Sequence, residues 1–280
     1  MKRKTLFDEI RRELSGIYPP REAEAITLRL FEELLQVSRT ALYLNPEAPV
    51  EAPAVVERAL SELKQGRPVQ YVLGETEFYG LRLRVDGNVL IPRPETEELV
   101  RRVLTENVAG GDFRVLDIGT GSGAIAIALA QAWPEAVVEA IDISSGALQV
   151  ARENAQRNGV QVRFLACDIL QEVPSGRFDV IVSNPPYVRP SERAQMHPNV
   201  LDHEPELALF VPEDDPLLFY RRIATVAQEL LQPGGRLYFE INEAMGNEIA
   251  RLLTRLGYTR IEIHTDLSGK DRIARAIAPE

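Results

Sequence analysis

Between Leu6 and about Gln65 the apolar positions recur at helical spacing, as in Ala25, Leu28, Leu30, Phe31, Leu34 and Leu35, with prolines at 19, 20, 46 and 53 as punctuation. This pattern predicts a small helical bundle whose acidic residues, such as Glu22, Glu24, Glu32 and Glu33, form solvated faces. From Val69 to Ile91 the texture becomes β-prone, with Phe78, Leu81, Leu83 and Val85 ahead of Asp86-Gly87-Asn88, predicting a hairpin closed by that turn. Pro94 is suited to the first turn of a helix, with Glu95 and Glu97 at its positive end. From Arg114 onward strand-like and helix-like runs alternate: strands 114–118, 137–141, 161–166, 178–183 and 236–241, with helices from about Ala124, Ala147, Leu217 and Met245 between or after them. Two late strands, 260–264 and 272–276, complete the series. Alternation of this kind builds an α/β fold, a parallel sheet with helices on both faces. The expected domains are therefore a helical domain at 1–68, a β-hairpin linker at 69–91 and a catalytic domain at 92–280.

Composition narrows the class. With 45% hydrophobic and 26% charged residues, 280 residues can bury a sizeable core. The most apolar stretch, Ile125 to Ala132, ends at Trp133-Pro134 and is far too short for a bilayer, so no membrane span is expected. Charged residues at 8, 9, 11 and 12 interrupt the N-terminal segment as a leader, and Cys167 is the single cysteine, which points to a reduced, cytoplasmic protein. Net charge is −10; residues 1–90 carry 13 basic and 14 acidic groups, the remainder 19 and 28. An acidic larger half argues against stable nucleic-acid binding, which draws on a basic face. His197, His203 and His264 are scattered, so no metal site is expected.

The first chemical motif is Asp117-Ile118-Gly119-Thr120-Gly121-Ser122-Gly123, where an apolar strand runs through glycines into a helix. Glycines let a ligand lie against bare backbone, and the helix start offers unpaired N–H groups. Asp142, closing the next strand, is placed to accept hydrogen bonds from a ribose. Nicotinamide and S-adenosylmethionine (SAM) enzymes share this geometry. Asp117 favours the second, since a carboxylate there can receive an ammonium but suits a pyrophosphate poorly. Asp168 is expected to meet an adenine amine, with Ile169 packed on the base.

The second motif is Asn184-Pro185-Pro186-Tyr187, at the end of strand 178–183. Ligands in open α/β sheets bind beyond the carboxyl ends of the strands, which puts this tetrapeptide on the crevice of the glycine loop. It is similar to the signature of methyltransferases that act on a nitrogen conjugated to a π-system. Such a nitrogen is a poor nucleophile because its lone pair is delocalised. Acceptors at the Asn184 side-chain oxygen and the Pro185 carbonyl can hold the NH2 so that its lone pair is aimed, with Tyr187 against the planar group and the prolines fixing the loop.

Together, Leu90 to Glu97, the glycine loop, Ser183 to Val188, His203-Glu204-Pro205 and Asp266 to Arg272 resemble the PrmC/HemK family of release factor glutamine N5-methyltransferases. The resemblance implies a Rossmann-like class I SAM-dependent methyltransferase sheet and transfer of a methyl group from SAM, leaving S-adenosylhomocysteine, to the glutamine of the Gly-Gly-Gln motif in peptide chain release factors. It implies cofactor contacts at Gly119, Thr120, Gly121, Ser122, Gly123, Asp142 and Asn184, and substrate contacts at Asn184, Pro185, Pro186 and Tyr187. Pro92, Arg93 and Glu95 are expected at the mouth of the site, and the helical domain is expected to dock the release factor. A ribosomal-protein glutamine methyltransferase is the alternative. An adenine-N6 nucleic-acid enzyme is less suited, because the helical region is not basic.

Overall fold

The computed structural model describes residues 1–51 and 54–279. Two compact units emerge: Met1–Gly74 with His197–His203, and Glu75–Met196 with Glu204–Glu280. The first holds helices α1 (Arg3–Leu14), α2 (Pro20–Leu35), α3 (Arg39–Leu44), α4 (Ala54–Lys64) and α5 (Val69–Leu73). Pro20 occupies the first turn of α2, where its missing N–H costs nothing, and the Ser38 side chain caps α3 by accepting from the Ala41 N–H. Leu6, Ile10 and Leu14 of α1 meet Ile26, Leu30 and Phe31 of α2 and Val56, Ala59 and Leu63 of α4 in one apolar cluster.

The stretch 69–91 departs from the expected hairpin linker. Residues 69–73 are helical, bracketed by Pro68 at the N-cap and Gly74 in the left-handed region (φ 75°). The hairpin is shorter, β1 (Glu75–Phe78) against β2 (Leu81–Arg84), and the Phe78–Leu81 pairing leaves Tyr79-Gly80 as a two-residue turn. Both turn residues have positive φ, 49° and 76°, matching the twist of the strands they join. Asp86-Gly87-Asn88 is instead a local turn in which the Asp86 carboxylate accepts from the Asn88 backbone N–H.

The rest of the second unit runs α6 (Pro94–Glu106), β3 (Arg114–Ile118), α7 (Ala124–Ala132), β4 (Val137–Asp142), α8 (Ser145–Arg157), β5 (Arg163–Ala166) and β6 (Phe178–Ser183). A 3-10 segment (Pro190–Gln195) and two short helices, α9 (Pro198–His203, grouped with the first unit) and α10 (Glu206–Leu209), precede α11 (Leu218–Leu230), β7 (Leu231–Glu240), α12 (Gly246–Arg255), β8 (Thr259–Thr265) and β9 (Asp271–Ile277). The seven-stranded sheet has the order β5-β4-β3-β6-β7-β9-β8, and β9 is antiparallel to both its neighbours. Two strands joined by the tight turn at Asp266 to Lys270 can pair only antiparallel, which reverses β9 in an otherwise parallel sheet. The Asp266 carboxylate secures that turn by accepting from the Ser268 and Lys270 N–H groups and the Arg272 side chain.

Period-two alternation sends side chains to both faces. Leu116, Ile118, Ile181 and Phe239 pack with α11 and α12, while Val115, Val180, Val182 and Tyr238 pack with α6 and α7. Asn154 of α8 is fully buried and joins three segments: it accepts from the Arg84 N–H and donates to the carbonyls of Arg84 and Ser122. It thereby ties the end of the hairpin to the glycine loop. Asn154→Ala leaves those three backbone groups unpaired, and a loss of about 3 kcal/mol is expected. Urea unfolding with an unchanged m-value and a lowered midpoint checks it.

Candidate active site

Strand register assembles the site. Ile118 pairs with both Ile141 and Ser183, and Ser183 pairs with Phe239, so Gly119, Asp142, Asn184 and Glu240 leave the sheet side by side at its carboxyl edge. The Ser183 hydroxyl fastens the central pair by donating to the Ile118 carbonyl at 2.6 Å. Above this edge lies a cavity of about 230 Å³ lined by both motifs. Of the expected site residues, Gly119, Thr120, Gly121, Ser122, Asp142, Asp168, Ile169, Asn184, Pro185, Pro186, Pro92 and Arg93 line it.

The glycine loop is held from below. The Ile141 carbonyl accepts from the N–H groups of Gly119 and Thr120, and the Asp142 carboxylate accepts from Gly121 at 2.8 Å and Ser144 at 2.9 Å. Burial pushes the Asp142 carboxyl above the usual carboxylate range, while these N–H bonds favour its ionised form. Gly119 and Gly121 have φ of 74° and 55°, and a Cβ on either would project into open space. The backbone there is a bare cradle. At Asp168 the carboxylate accepts from the Leu170 N–H and the Gln171 side chain, which fixes its plane beside the buried Ile169.

Four expected residues lie off the cavity wall. Gly123 is a packing position: its φ is 83°, and a Cβ would stand 2.9 Å from the Ile127 side chain and 3.2 Å from that of Ala151. Asp117 sits within β3, wholly buried behind the loop, where it accepts from the Thr120 hydroxyl at 2.6 Å. Its other oxygen, Oδ1, is buried with no hydrogen-bond partner among the described residues. Glu95 also stands off the cavity, on the first turn of α6. Tyr187 packs against the core cluster on the α11 face, and its hydroxyl donates to Glu240 at 3.3 Å. Desolvation, reinforced by the Glu240 charge, holds the Tyr187 proton well above the ordinary tyrosine range, so Tyr187 acts as a donor.

Residues outside the expected set complete the surroundings of Asn184. Its Nδ2 donates to the Thr96 hydroxyl at 3.3 Å, and that hydroxyl donates to Glu240 at 2.5 Å. Glu204, buried, accepts from the Ile91 N–H at 3.1 Å and the Arg93 guanidinium at 2.6 Å. Arg93 thus faces the cavity as half of an ion pair. Ending a buried strand on an acid, as β7 does at Glu240, is the sequence signal that could have pointed to this corner. Among the described residues no cluster of His, Cys, Asp and Glu could hold a metal ion, and no helix is long and apolar enough to cross a membrane.

Comparison with known proteins finds relatives for both regions of the chain. A family model described as the methyltransferase small domain matches residues 96–203, and one described as the PrmC N-terminal domain matches residues 5–74. Among solved structures, a methyltransferase from Pyrococcus furiosus shares the fold, with a TM-score of 0.54 at 20% identity, over 80% of this chain and 100% of that one. A 16S rRNA N2 G1207 methyltransferase from Thermus thermophilus superposes with a TM-score of 0.51 at 18% identity, over 73% of this chain and 49% of that one. Curated relatives resemble the whole chain more strongly. A release factor glutamine methyltransferase from Bacteroides thetaiotaomicron is 45% identical over 95% of this chain and 97% of its own length. The one from Streptococcus pneumoniae is 41% identical over 98% and 97%. With likeness of that extent spanning both the helical region and the sheet that carries the glycine loop and Asn184-Pro185-Pro186-Tyr187, the chain belongs to the release factor glutamine methyltransferase family.

Proposed function

We propose that the protein is a SAM-dependent protein-glutamine N5-methyltransferase, acting in the cytoplasm on the glutamine of the Gly-Gly-Gln motif of peptide chain release factors. The observation that carries the reading is Asn184 itself. Its side chain stands abreast of the glycine cradle in one cavity, with Nδ2 engaged by Thr96, and among the described residues no donor occupies its Oδ1. An acceptor left open at the end of a sheet strand, beside a ribose-binding carboxylate, is what an amide NH2 requires.

SAM, when bound, supplies an electrophilic methyl group on a sulfonium centre and leaves as S-adenosylhomocysteine. The residues present fit it: the bare backbone of Gly119 and Gly121 leaves room for a ligand, and Asp142 and Asp168 present carboxylates whose planes are already fixed. Asn184 Oδ1 and the Pro185 carbonyl hold the two hydrogens of the substrate amide and turn the nitrogen lone pair toward the cavity. Orientation contributes most of the acceleration, because an amide nitrogen out of conjugation is a far better nucleophile than one within it. As the nitrogen gains positive charge its protons become acidic, and the same acceptors stabilise that charge before one proton passes to water. The half-buried Tyr187 ring, packed against the core, backs the loop that carries these acceptors. The helical unit is assigned the recognition of release factor surface beyond the glutamine, a reading supported by the N-terminal family match over residues 5–74.

Incubation with labelled SAM and, separately, a release factor, ribosomal protein and DNA tests this, with the methyl mapped by mass spectrometry. Label on the Gly-Gly-Gln glutamine is expected. Label confined to ribosomal protein or nucleic acid overturns the reading.

A further inference from the structure

The corner behind Asn184 is a hydrogen-bond chain with a direction. In its ionised form, which the Thr96 and Tyr187 hydroxyls and Arg272 favour, Glu240 has no proton to give and can only accept, from Thr96 Oγ1 at 2.5 Å through Oε2 and from the Tyr187 hydroxyl at 3.3 Å through Oε1. A threonine hydroxyl has a single proton. Once that proton is committed to Glu240, Thr96 Oγ1 can offer only a lone pair to its other neighbour. The side-chain group of Asn184 that faces it must then be the NH2, at 3.3 Å, and the carbonyl oxygen is turned the other way. The two ends of an asparagine amide are nearly identical in shape, so packing alone does not choose between them. Hydrogen-bond polarity does.

We propose that Glu240, acting through Thr96, is a positioning residue that sets which end of the Asn184 amide meets the methyl-accepting nitrogen. Neither Glu240 nor Thr96 needs to touch substrate for this. The inference rests on the glutamine methyltransferase reading and deepens it. If Asn184 flips, an NH2 faces the substrate NH2, two donors oppose each other, and the aimed lone pair is lost. Glu240 is suited to the task because it is 1% exposed and sequestered from water that could substitute for it. Burial pushes its carboxyl toward the protonated form, and the Thr96 hydroxyl, the nearby Arg272 guanidinium and the Tyr187 hydroxyl favour the ionised form, with Glu95 opposing. Arg272 is held in place by Asp266. The device thus joins α6, β6, β7 and β9, elements that are far apart in the chain.

Glu240→Gln is the discriminating substitution, because glutamine is nearly isosteric but its amide can donate. With the donor turned to Thr96, the threonine proton is released toward Asn184 Oδ1 and the asparagine amide reverses. The full-length protein is assayed with a release factor as acceptor, measuring kcat, KM and, by calorimetry, SAM affinity. Expected for Glu240→Gln is a fall in kcat on the order of 100-fold, comparable to losing one transition-state hydrogen bond. SAM affinity and KM for the release factor should stay within about threefold. Thr96→Ser keeps the hydroxyl and should keep most of the activity, whereas Thr96→Val should lose it. The decisive reading is the double variant: in the Thr96→Val background, Glu240→Gln should have no further effect, since the relay is already cut. Full additivity of the two losses overturns the relay, as does wild-type kcat in Glu240→Gln. Should Glu240→Gln fail to fold, equal kcat for Thr96→Ser and Thr96→Val overturns it independently. A wild-type protein that does not methylate the glutamine at all defeats the underlying reading instead, so the two failures are told apart.

Discussion

Asn184→Ala is expected to lower methyl transfer by on the order of 1000-fold while weakening SAM binding by less than about tenfold. The asymmetry follows from where the side chain stands. Its Nδ2 is already used by Thr96 while its Oδ1 has no hydrogen-bond partner among the described residues, so on the proposed reading truncation removes the group that would orient the amide nitrogen. The glycine cradle and the carboxylates of Asp142 and Asp168 stand at or just past the ends of β3, β4 and β5 and keep their own hydrogen bonds. Most of the cofactor's surroundings therefore survive. Asn184→Asp is expected to fall between alanine and wild type. It keeps an oxygen toward the cavity but loses the donor to Thr96 and places a second anion near Glu240, which weakens its hold on that rotamer. Turnover and calorimetric SAM affinity measured on the same preparations check the series. Near-wild-type turnover in Asn184→Ala, or parallel losses in turnover and SAM binding, would remove the orienting role.

The parts of this site that the sequence makes legible share one property: each ends an apolar strand. Gly119, Asp142 and Asn184 follow largely buried apolar runs, Asp168 follows the half-exposed edge strand β5, and the carboxyl-edge rule for parallel sheets turns four separate chain positions into one crevice. The pattern of apolar residues also carries the helical bundle and the order of alternating elements. What it lacks is pairing information. Nothing local says that Thr96 and Glu240, 144 positions apart, share a hydrogen bond, because that contact depends on β7 lying next to β6 with Ser183 opposite Phe239. The reversed strand β9 is hidden for the same reason: its own alternation fits either direction, and only the turn before it decides. Turn chemistry misleads at 69–91, where Asp86-Gly87-Asn88 has the composition of a hairpin turn but Tyr79-Gly80 performs it, with a tyrosine at a φ that composition disfavours. The Glu97 carboxylate accepts from the Tyr79 N–H at 2.8 Å and so helps to hold that conformation. Asp117 shows a further limit: the motif singles it out, but its complete burial and its Thr120 partner follow from how the loop folds over it.

Asp117 should make SAM binding and stability depend on pH in opposite senses. The carboxyl is completely buried, and burial raises its pKa to about 7, with the Thr120 hydroxyl opposing and the Asp142 charge adding to the rise. Oδ2 receives the Thr120 proton, whereas Oδ1 has no partner among the described residues, so the ionised form is poorly compensated until a cation approaches. A bound SAM would bring ammonium and sulfonium charges to the glycine loop that covers Asp117, and such cations would supply that compensation. Binding therefore favours ionised Asp117, and affinity should fall by about tenfold between pH 8 and pH 6, with protons released on binding near pH 7. Stability without cofactor runs the other way. A carboxyl that titrates near 7 when folded and near 4 when unfolded holds more protons in the folded state between those values. Stability is lost as pH rises through that window, by an upper bound of about 4 kcal/mol, and changes little above it. Asp117→Asn cannot ionise, so its SAM affinity should be weaker and flat with pH, and its melting temperature should gain on wild type as pH rises from 5 to 8. Calorimetry in two buffers of different ionisation enthalpy counts the released protons, and melting scans follow the second effect. A wild-type affinity unchanged from pH 6 to 8, with no proton release, would leave Asp117 as a cap for Thr120 and nothing more.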